Sequence, residues 1–218
     1  MASQALTVTD WKAAFRRSLR RAGQIAGAAV LSLGTLFLAL SLASYAQTDP
    51  SQSTAAADSD IANWMGASGA WAAERALYYF GLTAVLLLPL LYISARRLWR
   101  GIETDSSADE GRWWRPFAML LAAMVLLATV LALIFEGSAN GLPAGFGGLA
   151  GLLGAGGIEA VAGRFPAGAA GWIIALAGIV ALFGGAALVT RVFAIDWAQF
   201  LTLPDFLHRA PRLADRLA

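Results

Sequence analysis

The chain has 218 residues, 58% of them apolar and 14% charged, with a mean hydropathy of +0.63, a composition well outside that of soluble domains. A formal net charge of +2 is too small to indicate a nucleic-acid-binding surface, and of the sixteen basic residues fifteen are Arg and one is Lys12. The absence of Cys excludes disulfides, thiol nucleophiles and Cys-ligated metal centres.

In chain order, residues 1–24 form a basic amphipathic arm. Trp11, Phe15 and Leu19 recur every fourth residue, with Lys12, Arg16 and Arg20 one step behind and Arg17 and Arg21 beside them. That pattern describes a helix lying on an anionic leaflet, and it equally describes a plain positive flank to a span. The apolar run that follows lacks a clean small-residue cleavage site, so it reads as a retained helix. Crossing a hydrocarbon core about 30 Å thick takes roughly 20 apolar residues, and four runs of that kind are free of charge: 25–45, 76–94, 117–135 and 167–190. Pro89 in the second run frees a backbone carbonyl and predicts a kink. Between the third and fourth runs, residues 146–163 hold seven Gly and Glu159. A mid-bilayer carboxylate costs about 2.5–3.5 kcal/mol on insertion scales, so this segment is assigned as re-entrant or interfacial. Residues 191–218, with Trp197, Phe200 and Leu201 ahead of Pro204, read as a cytoplasmic amphipathic exit toward a linker. The expected fold is all-α, a polytopic integral membrane protein of four transmembrane helices.

Orientation follows from Lys and Arg in the short loops, because positive loops resist translocation. The arm (Lys12, Arg16, Arg17, Arg20, Arg21), the second loop (Arg96, Arg97, Arg100, Arg112, Arg115) and the exit (Arg191, Arg209, Arg212, Arg216) place fourteen basic residues on one side. Arg75 and Arg164 leave two on the other. Four spans with that alternation put both termini in the cytoplasm, whereas a fifth span would carry the basic exit outside.

Chemistry-bearing patterns are sparse. Gly66-Ala67-Ser68-Gly69 spells the G-x-S-G found in intramembrane serine proteases, but the one histidine, His208, falls in the opposite compartment, and a Gly/Ser turn before a helix is the preferred reading. A phosphate-cradling G-x-x-x-x-G-K-[ST] loop is excluded, since Lys12 is the only lysine. The spans carry no ionisable residue at mid-depth, which weighs against a small transporter or channel, the rival reading, although a Gly-rich re-entrant segment could line a path with carbonyls. Small residues at Gly171, Ala175, Gly178 and at Ala177, Ala181, Gly185 allow close helix approach, with intramolecular packing favoured over an oligomer interface.

The first outer loop, Ala46 to Arg75, carries the most specific pattern. Ser44-Tyr45, Asp49-Pro50-Ser51, Asn63, Gly66, Gly69-Ala70, Leu77, Phe80-Gly81 and Leu88-Pro89 together resemble the amino-terminal membrane domain of the FtsK/SpoIIIE family of bacterial DNA translocases, of the cell-division type. The basic arm, the four spans, the Gly-Gly-Leu-x-Gly stretch at Gly147 to Gly151 and the amphipathic exit agree. The Trp64-Met65 pair and Glu74 depart mildly from the family pattern without altering spacing. The resemblance implies an anchor in the inner membrane at the division septum, bound to lipid and to divisome membrane proteins and assembled as a hexamer. DNA, ATP and Mg would be engaged only through a separate cytoplasmic motor, so no catalytic, cofactor or metal site and no enzyme activity is expected in these residues. The loop residues Asp49, Pro50, Ser51, Asn63, Gly66 and Gly69 are the candidate partner or structural site, with Asp49-Pro50-Ser51 read as a turn. Lys12, Arg16, Arg17, Arg20 and Arg21 are the candidate membrane-surface set.

Overall fold

The computed structural model describes residues 8–49, 61–103, 114–135 and 141–193, and among these every regular element is helical. They are α1 (Val8–Ala43), α2 (Gly66–Phe80), a 3-10 segment (Gly81–Leu86), α3 (Leu87–Glu103), α4 (Arg115–Ile134), α5 (Gly148–Ala162) and α6 (Ala167–Phe193). Four runs are long and apolar enough to cross a bilayer: Ala13–Ala43, Gly66–Trp99, Arg115–Ile134 and Ala167–Phe193. The domain is all-α and polytopic. From Val8 onward the basic arm and the first span are a single helix of 36 residues. Residues 194–218, which include all but the start of the expected exit, lie outside the described residues.

The bundle is built from two antiparallel pairs. In the first, α1 packs on α3, with Gly27 3.2 Å (from an added Cβ) from Leu98 Cδ1. In the second, α4 packs on α6 with opposite residue order: Gly178 faces Leu133, Gly184 faces Leu126, and Gly185 faces Leu127 and Ala123. Lipid is as apolar as a leucine side chain, so these pairs are held by close van der Waals contact and not by expulsion of water. Small residues make that contact possible, and Ala181 and Gly185 are buried against α4 while nothing lies near a Cβ at Gly171. Large side chains join the two pairs: Leu90, Leu120, Met124 and Val192 form a buried cluster with Phe80, Leu86, Leu87, Met119 and Phe193 around it. Val30, Leu33 and Leu36 on α1 and Leu176, Val180 and Phe183 on α6 remain exposed, as hydrocarbon-facing surfaces should.

The Gly66–Trp99 run is not one straight rod. Its Gly69 abuts Ser41, and its Leu98 abuts Gly27. Fourteen α1 residues separate those two contacts, about 21 Å at 1.5 Å per residue. Along the run itself, from Gly69 to Leu98, the path is about 45 Å, counting 2.0 Å per residue through the 3-10 stretch. Side-chain reach cannot absorb that difference, so the chain turns sharply at Gly81. Pro89 helps locate the interruption: it has no N–H to donate to the Val85 carbonyl, and the turn before it is 3-10. The kink expected at Pro89 is thus displaced to the residues preceding it, with Thr83 Oγ1 donating to Phe80 O at 2.7 Å.

The Gly-rich segment forms α5, whose 15 residues are about 22 Å long and too short to cross. It packs on α4, α2 and α6. Gly147 and Gly151 meet Ala128, six residues before the α4 end, so α5 starts about 9 Å below that end.

Gly185→Leu should splay α4 from α6, because the added Cβ would lie 2.8 Å from Leu127 Cγ and 3.3 Å from Ala123 O. The expected cost is about 1–3 kcal/mol, read as a lower thermal midpoint in detergent, whereas Gly171→Leu should leave the midpoint unchanged.

Candidate functional site

A helix that ends at the bilayer margin leaves its last carbonyls without intrahelical partners. At the α1 end those groups are met by a side chain from twenty residues further on. Asn63 Nδ2 donates to Ser41 O at 2.9 Å and to Ser44 O at 3.4 Å, and Asn63 Oδ1 accepts from Met65 N at 3.0 Å. The Asp49 carboxylate holds the same strand of chain by its backbone: Oδ1 accepts from Ala62 N at 2.7 Å and Oδ2 from Asn63 N at 3.1 Å. Ser44 Oγ accepts from Trp64 N at 3.0 Å while donating to Leu40 O at 2.7 Å. Asp49 and Asn63 are only 3% and 4% exposed, and Ser41 is fully buried.

This knot closes the first outer loop onto its own span. Closing thirteen residues costs about 2 kcal/mol beyond a constant, and a hydrogen bond to a charged acceptor returns roughly 1.5–3 kcal/mol. The two bonds on Asp49 offset that length-dependent part of the cost. Tyr45, just past the α1 end, has its hydroxyl pKa pushed above the ordinary 10.0, first by burial and then by the Glu74 and Asp49 carboxylates. A raised folded-state value means that the neutral phenol is favoured at all physiological pH. The stability from its burial is complete below pH 10 and is lost only as pH rises through the higher value.

Of the loop residues singled out in the sequence, Asp49, Asn63, Gly66 and Gly69 come together here. Gly66 opens α2 and donates its N–H to Asn63 O at 2.9 Å. A Cβ at Gly69 would collide with Asn63 Oδ1 and lie 2.9 Å from Ser41 Oγ, so glycine is required for the approach of α2 to α1. Pro50 and Ser51 lie outside the described residues. The Gly66–Gly69 stretch is not a turn before a helix; it is the first turn of α2, with Ser68 Oγ donating to Met65 O at 3.1 Å. The basic set lies elsewhere. Arg16, Arg17, Arg20 and Arg21 are exposed on α1, and Lys12 belongs to the same helix; Arg20 stands about 30 Å from Ser41 along the axis. Among the described residues no group of His, Cys, Asp and Glu could hold a metal ion.

A second junction was not anticipated. The interruption at Gly81 strands backbone groups, and Leu82 N donates to Phe146 O at 2.9 Å. Gly81 (φ 56°) and Gly148 (φ 59°) meet backbone to backbone, where any Cβ would collide with the Phe146 carbonyl on one side or with Gly81 N on the other. Both are in the left-handed region that only glycine adopts freely. A glycine inside an otherwise apolar run was the available signal. Its partner 67 residues away was not legible. Ser41 was likewise missed, since a serine near a span end is unremarkable until Asn63 reaches it.

Residues 20–201 match the family described as the 4TM region of DNA translocase FtsK/SpoIIIE. The chain belongs to this family. It is 32% identical over 151 residues to a DNA translocase FtsK of Mesorhizobium japonicum, covering 69% of this chain and 16% of that protein. To DNA translocase FtsK 2 of Ralstonia nicotianae it is 32% identical over 132 residues, covering 57% and 17%. To a DNA translocase FtsK of Shewanella oneidensis it is 41% identical over 58 residues, covering 27% and 6%. The chain thus spans less than a fifth of the length of these relatives. No solved structure matches it significantly. As the FtsK/SpoIIIE membrane region, it is a multi-pass membrane domain whose apolar helices contact lipid.

Asp49→Ala removes both acceptors and Asn63→Ala strands the Ser41 and Ser44 carbonyls. Each should cost about 1–3 kcal/mol, with faster amide hydrogen exchange at residues 62–65 and a lower thermal midpoint. Gly81→Ala, whose Cβ would be 2.6 Å from Phe146 C and 2.7 Å from Gly148 N, should be strongly damaging. Its expected sign is loss of membrane accumulation on immunoblots, against a normal level for Gly156→Ala, where nothing lies within 4 Å.

Proposed function

We propose that this chain is the membrane anchor, septal-targeting and assembly domain of a DNA translocase that couples cell division to chromosome segregation. The match of residues 20–201 to the FtsK/SpoIIIE membrane region carries the reading. The distribution of fourteen basic residues against two supports an inner-membrane orientation with both termini in the cytoplasm, where a motor using ATP and Mg would meet DNA. Catalysis belongs to that motor, and these residues hold the protein in the bilayer.

The first outer loop suits recruitment through divisome membrane proteins. The Asp49–Asn63 knot fixes the two described ends of that loop, 44–49 and 61–66, on the end of α1, so a partner that meets those ends gives up less entropy on binding. Homo-oligomerisation, as a hexamer by family likeness, would use the exposed faces of α1 and α6, which the bundle itself leaves uncovered.

A fluorescent fusion of residues 1–218 should gather at mid-cell in dividing cells; a uniform membrane signal would sink the septal assignment. In the same cells, a membrane-impermeant maleimide should label Ser68→Cys from the periplasm and spare Ala210→Cys. Labelling of the second would overturn the orientation.

A further inference from the structure

We infer that α2 is not the outer half of a membrane span but a helix lying along the leaflet opposite the basic arm, its Ser68–Trp71–Arg75–Tyr79 face seated among lipid headgroups. By length and composition alone Gly66–Trp99 reads as one span of 34 residues, and the geometry divides it. The Gly69 end of α2 touches Ser41, two residues from the end of α1. Its other end, at Gly81, meets Phe146 and Gly148, and the adjoining Gly147 and Gly151 sit on Ala128, six residues from the end of α4. Both ends of α2 therefore lie within about 10 Å of the level where spanning helices stop. From Gly69 to Gly81 the helix is about 18 Å long, which matches two interaxial spacings of 8–10 Å. α2 runs sideways across the bundle from α1 to the α4–α5 junction.

The two faces of α2 agree with that placement. Gly69, Ala70, Ala73, Glu74 and Leu77 are buried at helical spacing against the bundle. On the opposite face are Ser68, Trp71, Arg75 and Tyr79, with Trp71 53% and Tyr79 44% exposed. The hydrocarbon-facing stretches of α1 and α6 are aliphatic or Phe, at Val30, Leu33 and Leu36 on α1 and Leu176, Val180 and Phe183 on α6. Trp and Tyr interleaved with Ser and Arg are the side chains of the headgroup zone, each pairing an apolar body with a polar tip. The lipid-crossing part of this segment then begins at Gly81, and the outer leaflet forms the floor on which the first loop is displayed.

The chain contains no Cys, so nitroxide labels can be placed singly without removing native thiols. Ser68→Cys, Trp71→Cys and Tyr79→Cys, with Leu121→Cys on the lipid face of α4 as the deep reference, would be reconstituted in phosphatidylethanolamine–phosphatidylglycerol vesicles. Depth is read from power saturation by oxygen against a water-soluble nickel chelate. The three α2 labels should fall within about 5 Å of one another at headgroup depth, with the Leu121 label deeper, about 9 Å inside the Arg115 end of α4. An upright helix would instead give a ramp of about 16 Å from residue 68 to residue 79, and that result overturns the inference. Two other results overturn it as well: full nickel access at all three sites, which would place the face in water, and exclusion of both relaxants, which would mean that protein covers it. Should Trp71→Cys fail to insert, the labels at 68 and 79 alone separate a level helix from a ramp. The Leu121 label reports membrane insertion independently, so failure of the α2 placement is distinguishable from failure of the membrane assignment.

Discussion

A backbone N–H or carbonyl in the low-dielectric layer must find a partner, and the rest of this structure depends on how one interruption meets that demand. At Gly81 the α-helical ladder stops, and the groups it would have paired are exposed to a region where water is scarce. The Leu82 N–H takes the carbonyl of Phe146. That bond joins the Gly-rich segment, distant along the chain, to the broken helix, and α5 packs against α4 beside it. Glycine at 81 and at 148 is then a steric necessity, because two backbones occupy the space where a side chain would begin.

The same accounting explains the first loop. The carbonyls at the α1 end are bound by Asn63, and the Asn63 backbone is bound by Asp49. The residues that carry the family likeness are therefore structural first. They tie Ala62, Asn63 and Trp64 to the end of α1 through buried polar groups. A charged acceptor buried with its donors in place is stable, and the same carboxylate without them would be costly. This makes the motif sensitive to single substitutions.

Packing between α4 and α6 obeys a different rule. Lipid supplies no hydrophobic drive for helix association, so contact area decides. Gly178, Ala181 and Gly185 spend their small size on α4, inside one chain. Gly171 does not, and the outward faces of α1 and α6 stay free. The division between bundle-building and lipid-facing surfaces runs along α6 itself, between residues one or two positions apart.

The amino-acid sequence by itself determined the class of the protein and the four apolar runs, because bilayer thickness sets a minimum length that a charge-free stretch either meets or does not. Through the family likeness it also marked Asp49, Asn63, Gly66 and Gly69, together with Pro50 and Ser51, which lie outside the described residues. Tertiary structure alone decided that these four meet at the end of α1, that the second run turns at Gly81, and that Pro89 acts on the residues before it. Periodicity reports which face of one element is apolar, and it carries no information about a partner dozens of residues away. The Leu82–Phe146 bond and the Asn63–Ser41 bond exist only once distant segments are packed together, so they could be read only from the folded chain.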